Sequence, residues 1–175
     1  MIKKFFSVVS SKKTFQLNNK EISQICYLKN THWKYGLKSN LDWFKKYVKK
    51  NDIHNLLFIE DKLVGYTLLR IRTFYINNIK KKYLYFDVLI IDKKFRNKNL
   101  SNILMYINGD IILKNKKLSF LICLKNMIKY YEKFGWKKMD SKKLLIKDHS
   151  FSSYGMCFNN KDLNKKFNYI FYFYR

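Results

Sequence analysis

Residues 83–92, YLYFDVLIID, read as a strand buried on both faces, and the segment that this strand opens constrains the fold more than any other part of the chain. The polar loop KKFRNKNLS leads into a helical stretch, NILMYINGDIILKN. A second apolar strand, SFLICLK, comes next, and then the segment NMIKYYEKFGW. Strand, polar loop, helix, strand, helix is the layout of a βαβ unit that holds a phosphate at a helix N-terminus. Arg96-Asn97-Lys98-Asn99-Leu100-Ser101 gives that loop two cations and small polar residues, where backbone amides open toward an anion.

The rest of the chain fills in around this unit. Phe5–Val9 is expected to form a short first strand. After Asn18-Asn19, one of which serves as the cap, KEISQICYLKN carries Ile22, Ile25, Cys26 and Leu28 at near-helical spacing. That helix is expected to end at Lys29-Asn30, before a loop THWKYG. Ser39 or Asn40 then caps a second helix, LDWFKKYVKK, with Leu41, Phe44, Tyr47 and Val48 on one face. NLLFIE and LVGYTLLRIRTFY form a β-hairpin around Asp61-Lys62, and the alternation in its second arm predicts one wet face. Residues 77–82 are a polar connector into the next strand. Beyond Trp136, YGMCFN and NYIFYFYR are the last strand candidates. No repeat, linker or Pro/Gly-rich boundary interrupts the chain, so residues 1–175 read as one domain.

Charge needs a separate reading. The net charge of +25 suggests nucleic acid at first sight. Yet there is no Pro, only 5 Gly and no Ala, and Lys, Asn, Ile, Phe and Tyr dominate, which is the signature of A- and T-rich codons. Arginine is confined to Arg70, Arg72, Arg96 and Arg175, whereas a nucleic-acid reader favours Arg for its forked contacts. Lys is spread over every helix and loop without a concentrated stripe, which argues against a nucleic-acid partner. The surplus still steers polyanionic ligands. Cys26, Cys123 and Cys157 are dispersed, so neither a disulfide framework nor a metal site is expected. The apolar run Phe5–Val9 is shorter than a signal segment, and no stretch approaches the roughly 20 residues of a membrane span. The expected location is the cytoplasm.

In spacing, the Arg96–Ser101 loop resembles the pyrophosphate loop of the GNAT superfamily of acyl-CoA-dependent N-acetyltransferases, written Gln/Arg-x-x-Gly-x-Gly/Ala. Tyr130-Tyr131-Glu132-Lys133-Phe134-Gly135-Trp136 resembles the superfamily's later signature, aromatic-Tyr-x-x-aromatic-Gly-aromatic. The element order β-α-α-β-β-β-α-β-α-β-β is also that of the GNAT fold, so the resemblance spans nearly the whole chain. It implies an α/β fold with a mixed, mostly antiparallel twisted sheet flanked by about four helices. Leu28-Lys29-Asn30 and Trp43-Phe44 are similar to the Arg-Asn pair and Trp-containing helix of the amino-sugar and protein N-terminal acetyltransferases. Both loop glycines are replaced here, by Asn99 and Ser101. Asn best tolerates positive φ among residues with a side chain, and Ser is small enough for backbone to approach a phosphate.

The resemblance implies acetyl-CoA as cosubstrate, no metal, and roles for particular residues. Cofactor contacts fall on Leu89, Ile90 and Ile91, the strand whose backbone meets the thioester, and on Arg96, Asn97, Lys98, Asn99, Leu100 and Ser101. The Asn that many members place seven residues before the signature Tyr is Leu124 here, and Asn126 is the nearest substitute. Tyr131 is the acid for the leaving thiolate, since a phenol with a pKa of about 10 stays protonated at neutral pH. Some members place a Glu where Tyr85 stands; Asp87 shares that strand face and is the candidate base, with His54 as the other. His32, Trp33 and Tyr35 flank the acceptor cleft, with Tyr85 as a further acceptor contact. The implied acceptor is a small amine, an amino-sugar with nucleotide-linked forms included. Its amine is weakly basic, so little base is needed. A protein N-terminal amine, with a pKa of about 8, is the rival. A basic nucleic-acid-binding module on the same fold is the non-enzymatic alternative.

Overall fold

Asn18 caps the first helix, α1 (Asn19–Trp33). It accepts from the Glu21 N–H while the Glu21 carboxylate accepts from the Asn18 N–H, a reciprocal box that fixes the start. The computed structural model describes residues 7–148, 154–159 and 168–174. The chain divides into two compact units, residues 1–70 with 88–108, and residues 71–87 with 109–175.

In the first unit α1 runs past Lys29-Asn30 to Trp33, so Thr31, His32 and Trp33 are helical rather than loop. Lys34 ends it in the left-handed region at φ 56, its N–H bonded to the Asn30 carbonyl. The next helix, α2 (Leu37–Tyr47), starts from Gly36 at φ 90, which leaves the expected caps Ser39 and Asn40 inside its first turn. The side chain of Asn30 accounts for the early start, because its Oδ1 accepts from the Gly36 N–H at 2.8 Å and ties the two helices together.

Strand β1 (Ser7–Lys13) pairs antiparallel with β2 (Ile53–Ile59), and β2 with β3 (Lys62–Ile76). Phe5 and Phe6 lie outside the described residues, and the first strand extends four residues beyond Val9. The hairpin turns at Glu60-Asp61, one residue before the expected position, with Glu60 at φ 54. Ile25, Leu28, Phe44, Leu56, Tyr66, Leu68, Val88 and Ile90 close a core between these strands and the two helices.

The expected wet face of β3 is absent. Arg70 and Arg72 are each 1% exposed. Arg70 donates to the Tyr47 carbonyl at 3.3 Å and lies 5.4 Å from the Trp43 ring. Within the second unit Arg72 donates from Nε to the Phe173 carbonyl at 2.9 Å and from Nη1 to the Ile71 carbonyl at 2.8 Å. Alternation signalled exposure because it counts Arg as polar, whereas a guanidinium is tolerated inside when its donors meet carbonyls, as those of Arg72 do.

In the second unit, residues 77–82 do not form a connector. Asn77 and Asn78, at φ 46 and 66, make a two-residue turn, and Ile79–Ile91 is one strand, β4. β4 pairs parallel with β5 (Ser119–Cys123), which pairs antiparallel with β8 (Tyr154–Phe158). Three shorter strands complete it. β6 (Lys137–Lys138) pairs with β8, and β7 (Leu144–Ile146) runs parallel to β9 (Tyr169–Phe171), which also pairs with Phe74–Ile76 of β3. An aromatic core holds them, with Phe120 stacked on Phe171 at 4.1 Å and Tyr85 on Phe173 at 4.1 Å.

Helices α3 (Leu100–Lys114) and α4 (Ile128–Glu132) complete the order. Among the described residues, nine strands and four α-helices, with only the β4–β5 and β7–β9 ladders parallel, make the expected mixed, mostly antiparallel α/β fold. The short strands β6 and β7 are additions to the expected order. Among the described residues no helix is long and apolar enough to cross a membrane.

Candidate functional site

The loop between β4 and α3 belongs to the first unit, and its backbone is preformed. Asn97 and Asn99 both occupy the left-handed region, at φ 61 and 56, while Lys98 between them does not. Left-handed residues of this kind are a component of anion-binding nests. The Asn102 N–H bonds the Asn99 carbonyl at 3.0 Å, so α3 starts straight out of the loop with its first amides unpaired by the helix. Asn99 therefore has the conformation that the resemblance asks of a glycine. Asn97 shares it, a feature the motif does not signal.

Two anchors hold the loop. Asp92 accepts from the Lys94 N–H at 3.0 Å and pairs with Lys62 at 2.7 Å. Burial pushes its carboxyl up, but those hydrogen bonds outweigh it and hold the group below the usual carboxylate range. Arg96 donates from Nε to the Ile91 carbonyl at 3.2 Å, leaving an exposed guanidinium. Its other end meets His32 Nδ1 at 3.4 Å. Partial desolvation, then the charges of Arg96 and Lys93, lower the pKa of His32. The neutral imidazole can accept from Arg96, which puts His32 beside the loop rather than in a separate acceptor loop. Lys98 is exposed, Leu100 is buried and Ser101 is half-buried. A left-handed turn, a small residue and an outward guanidinium at a fifteen-residue helix fit a pyrophosphate.

Of the strand residues, Leu89 is half-buried while Ile90 and Ile91 are buried. Trp33 is half-buried against the first-unit core, its ring 4.8 Å from His32, and Tyr35 is 70% exposed. His54 is wholly buried. Its Nε2 meets Thr14 Oγ1 at 2.9 Å and its Nδ1 meets Tyr66 Oη at 2.8 Å. Burial lowers its pKa to about 4, with Asp52 and Glu21 opposing. With both nitrogens engaged and no exposed surface, the imidazole has the geometry of a core side chain, not of a base that meets substrate.

In the second unit the β4–β5 ladder comprises Leu84↔Ser119 and Tyr85↔Phe120, while β5 continues to Cys123 against β8. Asp87 lies two residues past the end of that ladder and is half-buried. Tyr85 is 5% exposed and stacked on Phe173, so it serves the aromatic core rather than an acceptor. Asn126 is exposed in the turn ahead of α4.

Tyr131 is buried on α4 between Phe86, Tyr130 and Trp136. Burial, and then Cys123 and Tyr130, push its phenol above the ordinary value. Its carbonyl accepts from the Phe134 and Trp136 amides, and Gly135 at φ 81 closes the turn. A Cβ on Gly135 would come within 3.2 Å of the Phe158 ring. The signature glycine and tryptophan thus lock the helix that carries Tyr131. Among the described residues no cluster of three or more His, Cys, Asp and Glu could hold a metal.

No family model matches the sequence, and no curated protein does. Solved structures match at the level of fold. Escherichia coli YhbS, a GNAT family N-acetyltransferase in complex with CoA, is 12% identical, with a TM-score of 0.72 over 97% of this chain and 91% of its own. An aminoglycoside 6'-N-acetyltransferase complexed with coenzyme A is 13% identical, at 0.62 over 85% and 95%. An Arabidopsis thaliana protein in complex with the bisubstrate analogue CoA-Ac-MVNAL is 19% identical, at 0.58 over 85% and 97%. The chain has the GNAT fold.

Proposed function

We propose that this protein is a coenzyme A-dependent N-acetyltransferase, moving the acetyl group of acetyl-CoA to a primary amine by direct attack. The observation that carries this reading is the loop Arg96–Ser101, which places two left-handed asparagines directly before α3 beside an exposed Arg96. The loop takes the pyrophosphate, with Arg96 and Lys98 supplying charge and Ser101 allowing close approach. A backbone amide of Leu89–Ile91 meets the thioester carbonyl. Tyr131, kept in its protonated form at neutral pH by burial, donates to the departing thiolate. Asp87 receives the amine's proton or anchors the acceptor. The acceptor is an amino-sugar, nucleotide-linked forms included. The fold shared with an aminoglycoside N-acetyltransferase supports that choice. So does Tyr85 standing where some family members place a Glu, since an amine surrounded by electronegative oxygens is less basic than a lysine amine and has a larger neutral fraction at pH 7.

Thermal unfolding with saturating acetyl-CoA tests the reading. A ligand at a hundred times its Kd adds about 2.7 kcal/mol of stability and raises Tm, and Arg96→Ala should shrink the shift. An amine screen that detects released thiol then identifies the acceptor, with amino-sugars expected ahead of peptide N-termini. No shift in Tm and no heat on titration would rule out the cofactor and the activity together.

A further inference from the structure

Helix α3 is seated in the first unit by two kinds of contact. Leu100 and Leu104 pack on Leu57, Ile59, Val64 and Ile91, and Gly65 lets the helix come close. A Cβ there would lie 2.9 Å from Ile91 Cδ1 and 3.1 Å from Leu104 Cδ1. One turn further along the same stripe stands Asn108, 1% exposed in an otherwise apolar helix face. Its Nδ2 donates to Thr67 Oγ1 at 2.7 Å and to the Leu104 carbonyl at 2.6 Å, and its Oδ1 accepts from Asn55 at 3.0 Å. Asn55 also donates to Thr67 at 3.2 Å, so β2, β3 and α3 meet in one buried network, with the exposed Ser11 of β1 donating to Asn55 at its edge.

We infer that Asn55, Thr67 and Asn108 are positioning residues for cofactor binding, a register lock that sets where α3, and hence the loop before Leu100, presents its amides. An apolar seat alone tolerates axial sliding and rotation, because dispersion contacts are non-directional. Three asparagine and threonine side chains bonded in fixed directions do not, because any shift leaves a buried donor without an acceptor. The lock lies two turns from Leu100 on the same helix, and the rigid helix carries its effect to Asn99 and Ser101. Burying an amide pair in this position makes no use of hydrophobic burial, so register rather than stability is its function. The inference rests on the proposed cofactor reading.

Calorimetric titration of coenzyme A into the full chain, with Tm measured in parallel, separates the possibilities. N108L should lower both Tm and affinity, as any buried orphan would. N55L/T67V/N108L removes the three buried partners together and leaves only the exposed Ser11 hydroxyl, which water satisfies, so Tm should recover while coenzyme A binding stays weaker by about tenfold or more. T67V alone should lower both Tm and affinity, because it leaves N–H groups of Asn55 and Asn108 buried without their Thr67 acceptor. Recovery of affinity together with Tm in the triple variant, or unchanged affinity in T67V, overturns the lock and leaves the cofactor reading standing. Absence of coenzyme A binding by the wild-type chain overturns both.

Discussion

Asn99 is the residue on which the proposed cofactor loop turns. At φ 56 it occupies a region where a Cβ is tolerated but not favoured, and glycine would enter without that penalty. Asn99→Gly should therefore bind acetyl-CoA at least as well as the native chain. Asn99→Val should bind roughly tenfold or more weaker, because a β-branched residue is strained there and misaims the amides. Calorimetry on the three proteins reads this directly, and equal affinities would mean the loop does not wrap a pyrophosphate. Tyr131 poses the complementary question of chemistry rather than binding. With the acceptor identified, Tyr131→Phe should cut kcat by about a hundredfold and leave KM nearly unchanged, since the proton is needed only in the transition state. Tyr130→Phe is the control, and an unchanged kcat in Tyr131→Phe would make Tyr131 a packing residue.

At the scale of elements, the α4 turn makes a separate prediction. Gly135 sits at φ 81 with Phe158 close behind it, and the Trp136 amide must return to the Tyr131 carbonyl. Gly135→Ala should cost about 1–2 kcal/mol from the left-handed backbone alone, with a further contribution from the Phe158 contact, and lower Tm by a few degrees. An unaltered Tm would mean that another residue sets the turn. This element was singled out by its resemblance to the GNAT signature, and the positive φ of its glycine supplies the physical reason for that residue. The β4–loop–α3–β5 segment was legible from the residues themselves, through unbroken apolar runs and turn-forming asparagines. Elements read wrongly were those where a side chain overrode local propensity. Asn30 drew Gly36 inward and started α2 early, and Asn77-Asn78 made a hairpin out of what composition marks as a polar connector. Arg70 and Arg72 mimic an exposed stripe while lying inside. For the candidate site, Arg96, Asn99 and Tyr131 were singled out by the resemblance to the GNAT signatures, and their roles are proposals. His54 and Tyr85 could not be told from core residues, because burial of a polar ring depends on partners such as Tyr66 and Phe173 that are distant in sequence. The Asn108 network left one trace, a lone amide two turns after Leu100 on an apolar face.

At the scale of the whole molecule, the charge of +25 leaves two readings that salt distinguishes. A nucleic-acid module gains its affinity from counterion release across many phosphates. Its binding falls by about a thousandfold or more between ~50 and ~200 mM salt when six or more phosphates are engaged. On the proposed reading acetyl-CoA offers a pyrophosphate and a 3′-phosphate to a loop whose amides carry much of the contact, and amide hydrogen bonds are not displaced by counterions. Its affinity should fall only about tenfold over the same range, with most of the loss in the association rate, because dispersed lysines steer an anion from a distance without holding it. Titrations of acetyl-CoA and of a mixed-sequence single-stranded RNA, run side by side at both salt concentrations, decide between them. The expected result is RNA binding that vanishes with salt beside cofactor binding that persists. RNA binding that survives the higher salt, with acetyl-CoA binding lost, would move the lysine surface from a steering field to the functional site and leave the GNAT fold as its scaffold.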